Sequence, residues 1–278
     1  MTHFCLSPAK VNLFLKVVSR RPDGYHNLVS LVDLVSLHDV IQIEEDDSDR
    51  VTVCDNRGLL PPGADNTIYR AIMLLKERYV VRAGVRVFVE KQIPLGSGLG
   101  GGSSNAATVM KELVRLWNIK VDPAELLELG RKVGSDVPLF LHGKSCVMKG
   151  VGEKIMPFDL PFLWYLIVYP DVVLSTRDVY NGLRIVLTKG KNEVTFSGNF
   201  TSTLDIADIL ENDLEEVAFF RCPKIKTIKE ALRDAGAVGA LMSGSGSAVF
   251  GIFEQQDGAQ EALEKVRDFG SVFIAHSV

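Results

Sequence analysis

Apolar positions with two different spacings divide the chain into strands and helices. Val11, Leu13, Leu15 and Val17 alternate with their neighbours, which predicts a strand. The same criterion predicts strands over 29–35, 40–44, 51–54, 85–89, 162–169, 239–242, 249–253 and 271–275. Helical spacing predicts helices over 66–79, 103–117, 123–133, 137–143, 177–183, 213–220, 224–235 and 258–269. Because strands and helices intermix without strict βαβ alternation, we predict the α+β class.

Polar segments between these elements indicate loops, and the strand predicted over 162–169 opens a second domain. Residues 19–27 form a polar loop around a Pro22-Asp23-Gly24 turn, and the acidic run 44–49 indicates a solvated turn. With 278 residues the chain can form two ordinary domains. We place them at 1–155 and 156–278. The densest apolar run, 160–169, is half the roughly 20 residues that a membrane helix needs, so we expect no membrane association.

The most distinctive segment is a glycine- and serine-rich stretch, 94–107, that leads into the helix predicted over 103–117. Glycines allow backbone N–H groups to approach a ligand closely. A helix N-terminus adds unpaired donors and a partial positive charge. The stretch therefore predicts a phosphate-binding loop.

Three alternatives fit the stretch less well. A flexible linker would not be flanked by apolar elements on both sides. Gly96, Gly98 and Gly101 satisfy the G-x-G-x-x-G spacing of dinucleotide-binding folds, but Asp122, the acidic residue that follows the predicted helix, opens another helix instead of ending a strand. A Walker loop would need a Gly-Lys-Ser/Thr sequence, which the stretch lacks.

A few polar residues outside the loop are candidates for chemistry. Asp136 could act as an acid or base, although an aspartate before a short helix is ordinarily its N-cap. Lys10 could place a positive charge beside a transferring phosphoryl group, or it could be a solvated residue of a strand. Tyr25 could stack on a flat base, whereas His26 beside it is ordinarily an exposed loop residue. A second small-residue stretch, 243–247, is either a hairpin turn or a backbone that passes close to the same phosphates.

The amino-acid composition argues against several classes of protein. A net charge of −4 and a pI near 5.8 provide no overall basic surface for nucleic acid. The four cysteines are scattered without a C-x-x-C pair, which argues against a zinc site or a disulfide framework and fits a reducing cytoplasm. The N-terminal residues lack the layout of a signal peptide, so we expect a cytoplasmic protein.

The motifs, taken together, resemble the GHMP kinase superfamily, which includes galactokinase, homoserine kinase and mevalonate kinase. The stretches 94–107 and 241–250 resemble its phosphate loop and its C-terminal glycine motif. Within the superfamily the chain resembles the 4-diphosphocytidyl-2-C-methyl-D-erythritol kinase family over nearly its whole length. The motifs that carry this resemblance are 7–13, 21–26, 65–69, 134–138 and Asn212-Asp213-Leu214.

The resemblance implies a two-domain α+β fold of the GHMP kinase type. Its N-terminal domain would be like the second domain of ribosomal protein S5, and its C-terminal domain would be ferredoxin-like. ATP and a small cytidyl sugar-alcohol substrate would bind in a cleft between the domains. The reaction would transfer the γ-phosphoryl group of ATP to the 2-hydroxyl of that substrate, in the non-mevalonate route to isoprenoid precursors.

The resemblance also implies roles for individual residues. Asp136 would accept the hydroxyl proton, and Lys10 would orient that hydroxyl and offset developing charge. Residues implied for ATP are Asn66, toward the adenosine, and Pro94, Gly96, Ser97, Gly98, Leu99, Gly100, Gly101, Gly102, Ser103 and Ser104 around the triphosphate. Residues implied for the cytidyl substrate are Asn12, Tyr25, His26, Thr176 and Tyr180.

Several points stay open on the sequence alone. Mg²⁺ is expected with ATP, but no acidic cluster identifies its protein ligands, and the oligomeric state has no sequence signal. A kinase for another small alcohol, such as mevalonate or homoserine, is an alternative on the same fold. A non-catalytic nucleotide-binding regulator and a dinucleotide-dependent oxidoreductase are alternatives of other classes. The polar segment 185–203 has no assigned role.

Overall fold

The computed structural model describes residues 2–183, 196 and 200–278. Its strands are β1 (Thr2–Arg20), β2 (His26–Asp46), β3 (Val51–Asp55), β4 (Gly84–Glu90), β5 (Cys146–Gly150), β6 (Lys154–Pro157), β7 (Trp164–Tyr169), β8 (Glu211–Asn212), β9 (Gly239–Met242), β10 (Val249–Phe253) and β11 (Ser271–His276). Its α-helices are α1 (Thr67–Tyr79), α2 (Gly101–Leu116), α3 (Pro123–Val133), α4 (Val137–His142), α5 (Thr176–Gly182), α6 (Thr203–Asp208), α7 (Glu215–Arg221), α8 (Pro223–Asp234) and α9 (Gln256–Val266).

The first compact unit combines strands with the helix that follows the glycine stretch. It comprises Met1–Ala9, His38–Ile93 and Gly100–Gly143. β4 pairs antiparallel with the second half of β2 and parallel with β3. α2 packs against both α1 and α4, and α3 packs against α4. The alternating valines of β4 and the apolar stripe of α1 are fully buried, as their spacing predicts.

The second unit comprises Lys10–Leu37, Pro94–Leu99 and Lys144–Val278. It contains a four-stranded antiparallel sheet in the order β11-β7-β10-β9. α8 packs on β9 and β10, and α9 packs on β7, β10 and β11. The first half of β2 pairs with β5, and β8 pairs with β1. The α+β class is confirmed, whereas the boundary between residues 155 and 156 stays a prediction.

β2 corrects the prediction of separate strands over 29–35 and 40–44. A single strand runs through both, and it includes part of the acidic run 44–49 that we expected to be a turn. The polar residues Ser30, Asp33 and Asp39 interrupt the apolar pattern, but each is buried with at most 1% of its surface exposed and is hydrogen-bonded. Buried polar side chains with partners are compatible with a strand interior, so periodicity alone divides β2 wrongly.

Other differences concern short elements and the ends of long ones. β5, β6, α6 and β8 were not predicted, and their spans are too short for a periodic signal. α2 begins at Gly101, because its first turn consists of the small residues that we assigned to the loop. The predicted segment 185–203 falls largely outside the described residues. Across the residues described, no helix combines the length and apolarity needed to cross a bilayer.

A buried carboxylate ties the C-terminal residues to β2. Asp33 accepts hydrogen bonds from Tyr165 Oη at 2.6 Å and Ser277 Oγ at 2.7 Å, and also from Ser145 Oγ. Burial raises the pKa of Asp33, and these three donors oppose that rise.

Removing one of these donors is expected to destabilise the protein measurably. Tyr165→Phe leaves the buried carboxylate of Asp33 short of a donor, so the free energy of unfolding should fall by about 1.5–3 kcal/mol. Urea denaturation of the wild-type protein and of Tyr165→Phe at pH 7 measures this difference in the free energy of unfolding. An unchanged free energy of unfolding would show that the Tyr165 hydroxyl contributes nothing.

Candidate active site

The N-terminus of α2 lies at the end of the glycine stretch in the first unit. Gly100, in the left-handed region at φ +76°, is the N-cap and supplies no side chain to the first turn. The first-turn N–H groups of α2 are therefore not capped by that residue and can serve an anion. Ser103 is partly exposed, but Ser104 is buried and its hydroxyl accepts a hydrogen bond from Ser7 Oγ at 2.8 Å. Of these two serines, Ser103 has the accessible hydroxyl.

The preceding part of the stretch packs against the second small-residue stretch, within the second unit. Ser243 Oγ donates to the carbonyl of Gly98 at 3.1 Å, and Ala248 N donates to the carbonyl of Ser97 at 2.9 Å. The Ser97 hydroxyl donates to Pro94 O at 2.7 Å and so closes the turn itself. The segment 243–247 joins the antiparallel strands β9 and β10. It is therefore a hairpin connection, and it also lies against the backbone of the first glycine stretch.

Lys10 lies in the interior of β1, with 4% of its surface exposed, so the alternative of a solvated lysine is wrong. Its Nζ donates to Oδ1 of Asn12, and Asn12 Nδ2 donates to Ser30 Oγ at 2.8 Å. The Lys10 N–H donates to Leu99 O at 3.0 Å, which joins β1 to the glycine stretch. A Cβ on Gly244 would lie 3.1 Å from Lys10 Nζ. The second unit thus brings Lys10 and Asn12 together with both glycine stretches.

Asp136 precedes α4 in the first unit but does not cap it. Its backbone is in the right-handed helical region, and its side chain accepts no capping hydrogen bond. Asp122 shows the contrast, because its side chain accepts a hydrogen bond from Ala124 N at 2.8 Å and caps α3. A Cβ on Gly134, two residues before Asp136, would lie 3.8 Å from Ser103 Oγ. The half-buried Asp136 carboxylate is thus available for a role other than capping, and the segment before it lies near the first turn of α2.

Asn66 lies beside that same turn. Its Oδ1 caps α1 by accepting a hydrogen bond from Ile68 N at 2.9 Å. The next residue, Thr67, donates from Oγ1 to Gly102 O at 3.1 Å, which links the starts of α1 and α2. Asn66 is 2% exposed, and among the described residues its Nδ2 has no hydrogen-bond partner. An unpaired buried donor is costly, so a ligand acceptor at this position would stabilise it.

The residues predicted for the cytidyl group lie in the second unit. The rings of His26 and Tyr180 stack with centroids 5.3 Å apart, whereas Tyr25 is 65% exposed. Burial and the nearby charge of Arg20 lower the pKa of His26, which favours the neutral ring at pH 7. Thr176, at the start of α5, shares a 2.8 Å hydrogen bond with Ser245 of the second glycine stretch.

The sequence interpretation missed a buried polar network under the start of α2. Lys91 and Asp39 form an ion pair with at most 2% of either side chain exposed. Asn105 Nδ2 donates to Asp39 Oδ2 at 2.8 Å and to Ser7 Oγ at 2.9 Å. A Cβ on Gly101 would lie 3.3 Å from Lys91 Nζ. These residues are far apart along the chain and belong to no local pattern, so no sequence signal joins them.

Within the described residues, no group of three or more histidine, cysteine, aspartate or glutamate side chains could hold a metal ion. With nucleotides, Mg²⁺ ordinarily binds through phosphate oxygens and water, together with one or two carboxylates.

Comparison with protein families and with known proteins shows that the sequence is similar to kinases. The GHMP kinases N terminal domain family matches residues 66–144, and the GHMP kinases C terminal family matches residues 198–272. A 4-diphosphocytidyl-2-C-methyl-D-erythritol kinase of Geotalea daltonii is 39% identical over 271 residues, which cover 98% of this chain and 96% of that protein. The enzyme of the same name from Syntrophotalea carbinolica is 42% identical over 265 residues, with 94% and 93% coverage.

Two solved kinase structures are similar to this chain, one in both sequence and fold and the other in fold. A crystal structure of 4-(cytidine 5'-diphospho)-2C-methyl-D-erythritol kinase is 36% identical, with a TM-score of 0.81 and coverage of 99% of this chain and 98% of that chain. A homoserine kinase from Cytophaga hutchinsonii shares the fold at 21% identity, with a TM-score of 0.71 and coverage of 100% and 94%. The chain therefore belongs to the GHMP kinase superfamily and, within it, to the 4-diphosphocytidyl-2-C-methyl-D-erythritol kinase family.

Proposed function

We propose that the protein transfers the γ-phosphoryl group of ATP to the 2-hydroxyl of 4-diphosphocytidyl-2-C-methyl-D-erythritol, a step toward isoprenoid precursors. The observation that carries the proposal is the convergence of Lys10 and Asn12 with the backbone of two glycine stretches. Phosphoryl transfer requires positioning and charge stabilisation more than covalent chemistry from the protein. Buried cationic and amide groups beside a phosphate loop meet that requirement.

The nucleotide is held by backbone N–H groups of the glycine stretch and the first turn of α2. Bare amides and the helix dipole supply the positive potential that a Walker lysine supplies elsewhere. Asn66, with its unpaired Nδ2, binds on the adenosine side. The buried Lys91–Asp39 pair supports the start of α2 from beneath.

Asp136 acts as the base for the acceptor hydroxyl, and Lys10 orients that hydroxyl. The carboxylate is not engaged in capping α4, so it can accept the proton as the oxygen attacks the γ-phosphorus. The Lys10 ammonium stabilises the negative charge that develops during transfer, and Asn12 fixes its direction through Oδ1. Mg²⁺ bound with ATP would supply positive charge that offsets the charge of the phosphates.

The cytidyl group is expected to stack on the exposed ring of Tyr25, next to His26, Tyr180 and Thr176. Tyr25→Ala should raise the KM for the cytidyl substrate about 10-fold or more, because aromatic stacking on a base is worth about 1–3 kcal/mol. The KM for ATP should not change. Steady-state kinetics with each substrate varied separately measure the split. Phe220→Ala, which removes an aromatic ring that is 88% exposed on α7, is the control and should change neither KM.

One assay tests the activity against its alternatives. The purified protein is incubated with ATP, Mg²⁺ and, in separate reactions, the cytidyl substrate, mevalonate or homoserine, and ADP release and phosphorylated product are measured. Turnover of the cytidyl substrate alone, with inhibition by cytidine nucleotides, supports the proposal. Turnover of mevalonate or homoserine would assign another alcohol. Nucleotide binding without turnover of any alcohol would favour a regulator, and NAD(H) binding would favour an oxidoreductase.

A further inference from the structure

The motif Asn212-Asp213-Leu214 contributes to the family resemblance, but the proposed mechanism gives it no part. Asn212 ends the short strand β8 and is 6% exposed. Its Nδ2 donates two hydrogen bonds of 2.8 Å each, to Met242 O and to Gly244 O. Its Oδ1 accepts a hydrogen bond from Leu214 N at 2.9 Å. Both donor hydrogens of this amide are therefore used on the backbone around one turn.

The neighbouring residues fasten the same segment to β1. Asn212 pairs with Leu15 in the register of β8 and β1. Asp213 N donates to Leu15 O at 3.0 Å, and Asp213 Oδ2 accepts from Val17 N at 2.7 Å. Glu215 Oε1 accepts from Met242 N at 3.0 Å, on the other side. The segment 212–215 thus joins β1, which carries Lys10 and Asn12, to the end of β9.

Gly244, whose carbonyl Asn212 holds, is the residue of the second glycine stretch that lies against Lys10. A Cβ on Gly244 would lie 3.1 Å from Lys10 Nζ, 3.3 Å from Asn12 Oδ1 and 3.3 Å from Gly98 O. The φ of Gly244 is +56°, a conformation that glycine adopts without strain. The carbonyl of Gly244 accepts a hydrogen bond from the Asn212 amide, which therefore helps to set the direction of this turn.

We propose that Asn212 is a positioning residue for phosphoryl transfer, which acts by holding Gly244 against the Lys10 ammonium and the Asn12 amide. The proposal rests on the proposed function. An amide is required because the site presents two carbonyl oxygens, and only a side chain with two N–H donors satisfies both. When Gly244 is displaced, Lys10 and Asn12 lose the backbone that packs against them, and the acceptor hydroxyl is misplaced.

The test compares Asn212→Asp and Asn212→Leu, which are close to asparagine in size and cannot donate as the amide does. We expect both to lower kcat per folded molecule by about 10²-fold, the effect of a misplaced reacting group, with the KM for ATP changed less than 3-fold. Protonating the carboxyl introduced by Asn212→Asp restores one donor. The ratio of its kcat to the wild-type kcat should therefore rise as the pH falls from 8 to 5.5, while the Asn212→Leu ratio stays flat. The charged groups of the surrounding segments, Lys10, Asp213, Glu215 and Lys229, are present in all three proteins, so the Asn212→Leu profile shows any pH dependence that does not come from the introduced carboxyl.

A matched control separates positioning from loss of stability. Val266→Ala shortens a fully buried side chain of α9 and should lower the melting temperature without changing kcat. If Asn212→Asp does not fold, Asn212→Ser keeps one hydroxyl donor and is compared with Val266→Ala instead. A kcat per folded molecule equal to that of Val266→Ala, or parallel pH profiles for the aspartate and leucine variants, would overturn the proposal. Failure of the wild-type protein to phosphorylate the cytidyl substrate would instead reject the proposed function.

Discussion

Asp136→Ala is expected to lower kcat by about 10³-fold while the protein stays folded. The proposed base is lost, and general-base catalysis contributes about 10²–10⁴-fold. Because the carboxylate makes no capping hydrogen bond to α4, the free energy of unfolding should change by less than about 0.5 kcal/mol. Phosphorylation of the cytidyl substrate and urea denaturation, measured on the same preparation, provide the two readouts.

Asp122→Ala is the matched control for this variant. Asp122 caps α3 through its hydrogen bond with Ala124 N, so its removal should cost about 1 kcal/mol of stability and leave kcat unchanged. Asp136→Ala should therefore lower activity without lowering stability, and Asp122→Ala should lower stability without lowering activity. Full activity of Asp136→Ala would reject the base assignment, and a stability loss equal to that of Asp122→Ala would show that Asp136 is a cap after all.

Gly98→Ala should have the second large effect, through the backbone of the phosphate loop. A Cβ on Gly98 would lie 2.2 Å from the carbonyl oxygen of Ser243 and 3.1 Å from that of Gly246. The φ of +82° adds strain of about 1–2 kcal/mol for a residue with a side chain. The two glycine stretches must separate to admit the methyl group, so kcat/KM for ATP should fall by more than about 10²-fold. Titration calorimetry with a non-hydrolysable ATP analogue should show weakened binding.

Gly58→Ala is the control that separates the steric clash of a Cβ at Gly98 from the backbone strain of its positive φ. Gly58 has a similar φ of +65°, but a Cβ there would meet nothing within 4 Å. This variant should lose about 1 kcal/mol of stability and keep wild-type kinetics. If both variants behave alike, backbone strain alone accounts for Gly98, and the contact between the two stretches has no functional role.

Much of the fold could be predicted because the relevant signals are local. Capping residues correctly set the start of α3 at Asp122 and that of α1 within 65–67, and the alternating valines of β4 gave a strand within a residue of its observed ends. The prediction failed where burial overrides local pattern. β2 contains polar residues whose hydrogen-bond partners, such as Phe14 O and Tyr165 Oη, come from other strands. A pattern along one strand contains no information about such partners.

For the candidate site as well, the sequence predicted some features and could not predict others. The glycine stretch, Lys10, Asp136 and the 243–247 stretch could be named from residue type and motif. Their surroundings could not: residue type left Lys10 open between a solvated strand residue and a charge beside a phosphoryl group, and it left Asp136 open between a helix cap and an acid or base. The burial of Lys10 in β1 and the uncapped start of α4 exclude the solvated lysine and the cap.

The sequence by itself determined the α+β class, the family and the position of the proposed phosphate loop, because these depend on spacing, glycine content and motifs within short segments. Only the tertiary structure decided which residues surround them. It placed Gly244 against Lys10, bound Asn212 to both Met242 and Gly244, and buried Lys91 beneath Gly101. Contacts between residues distant in the chain arise from packing and from the need to pair every buried polar group. A short segment of sequence does not specify either of these.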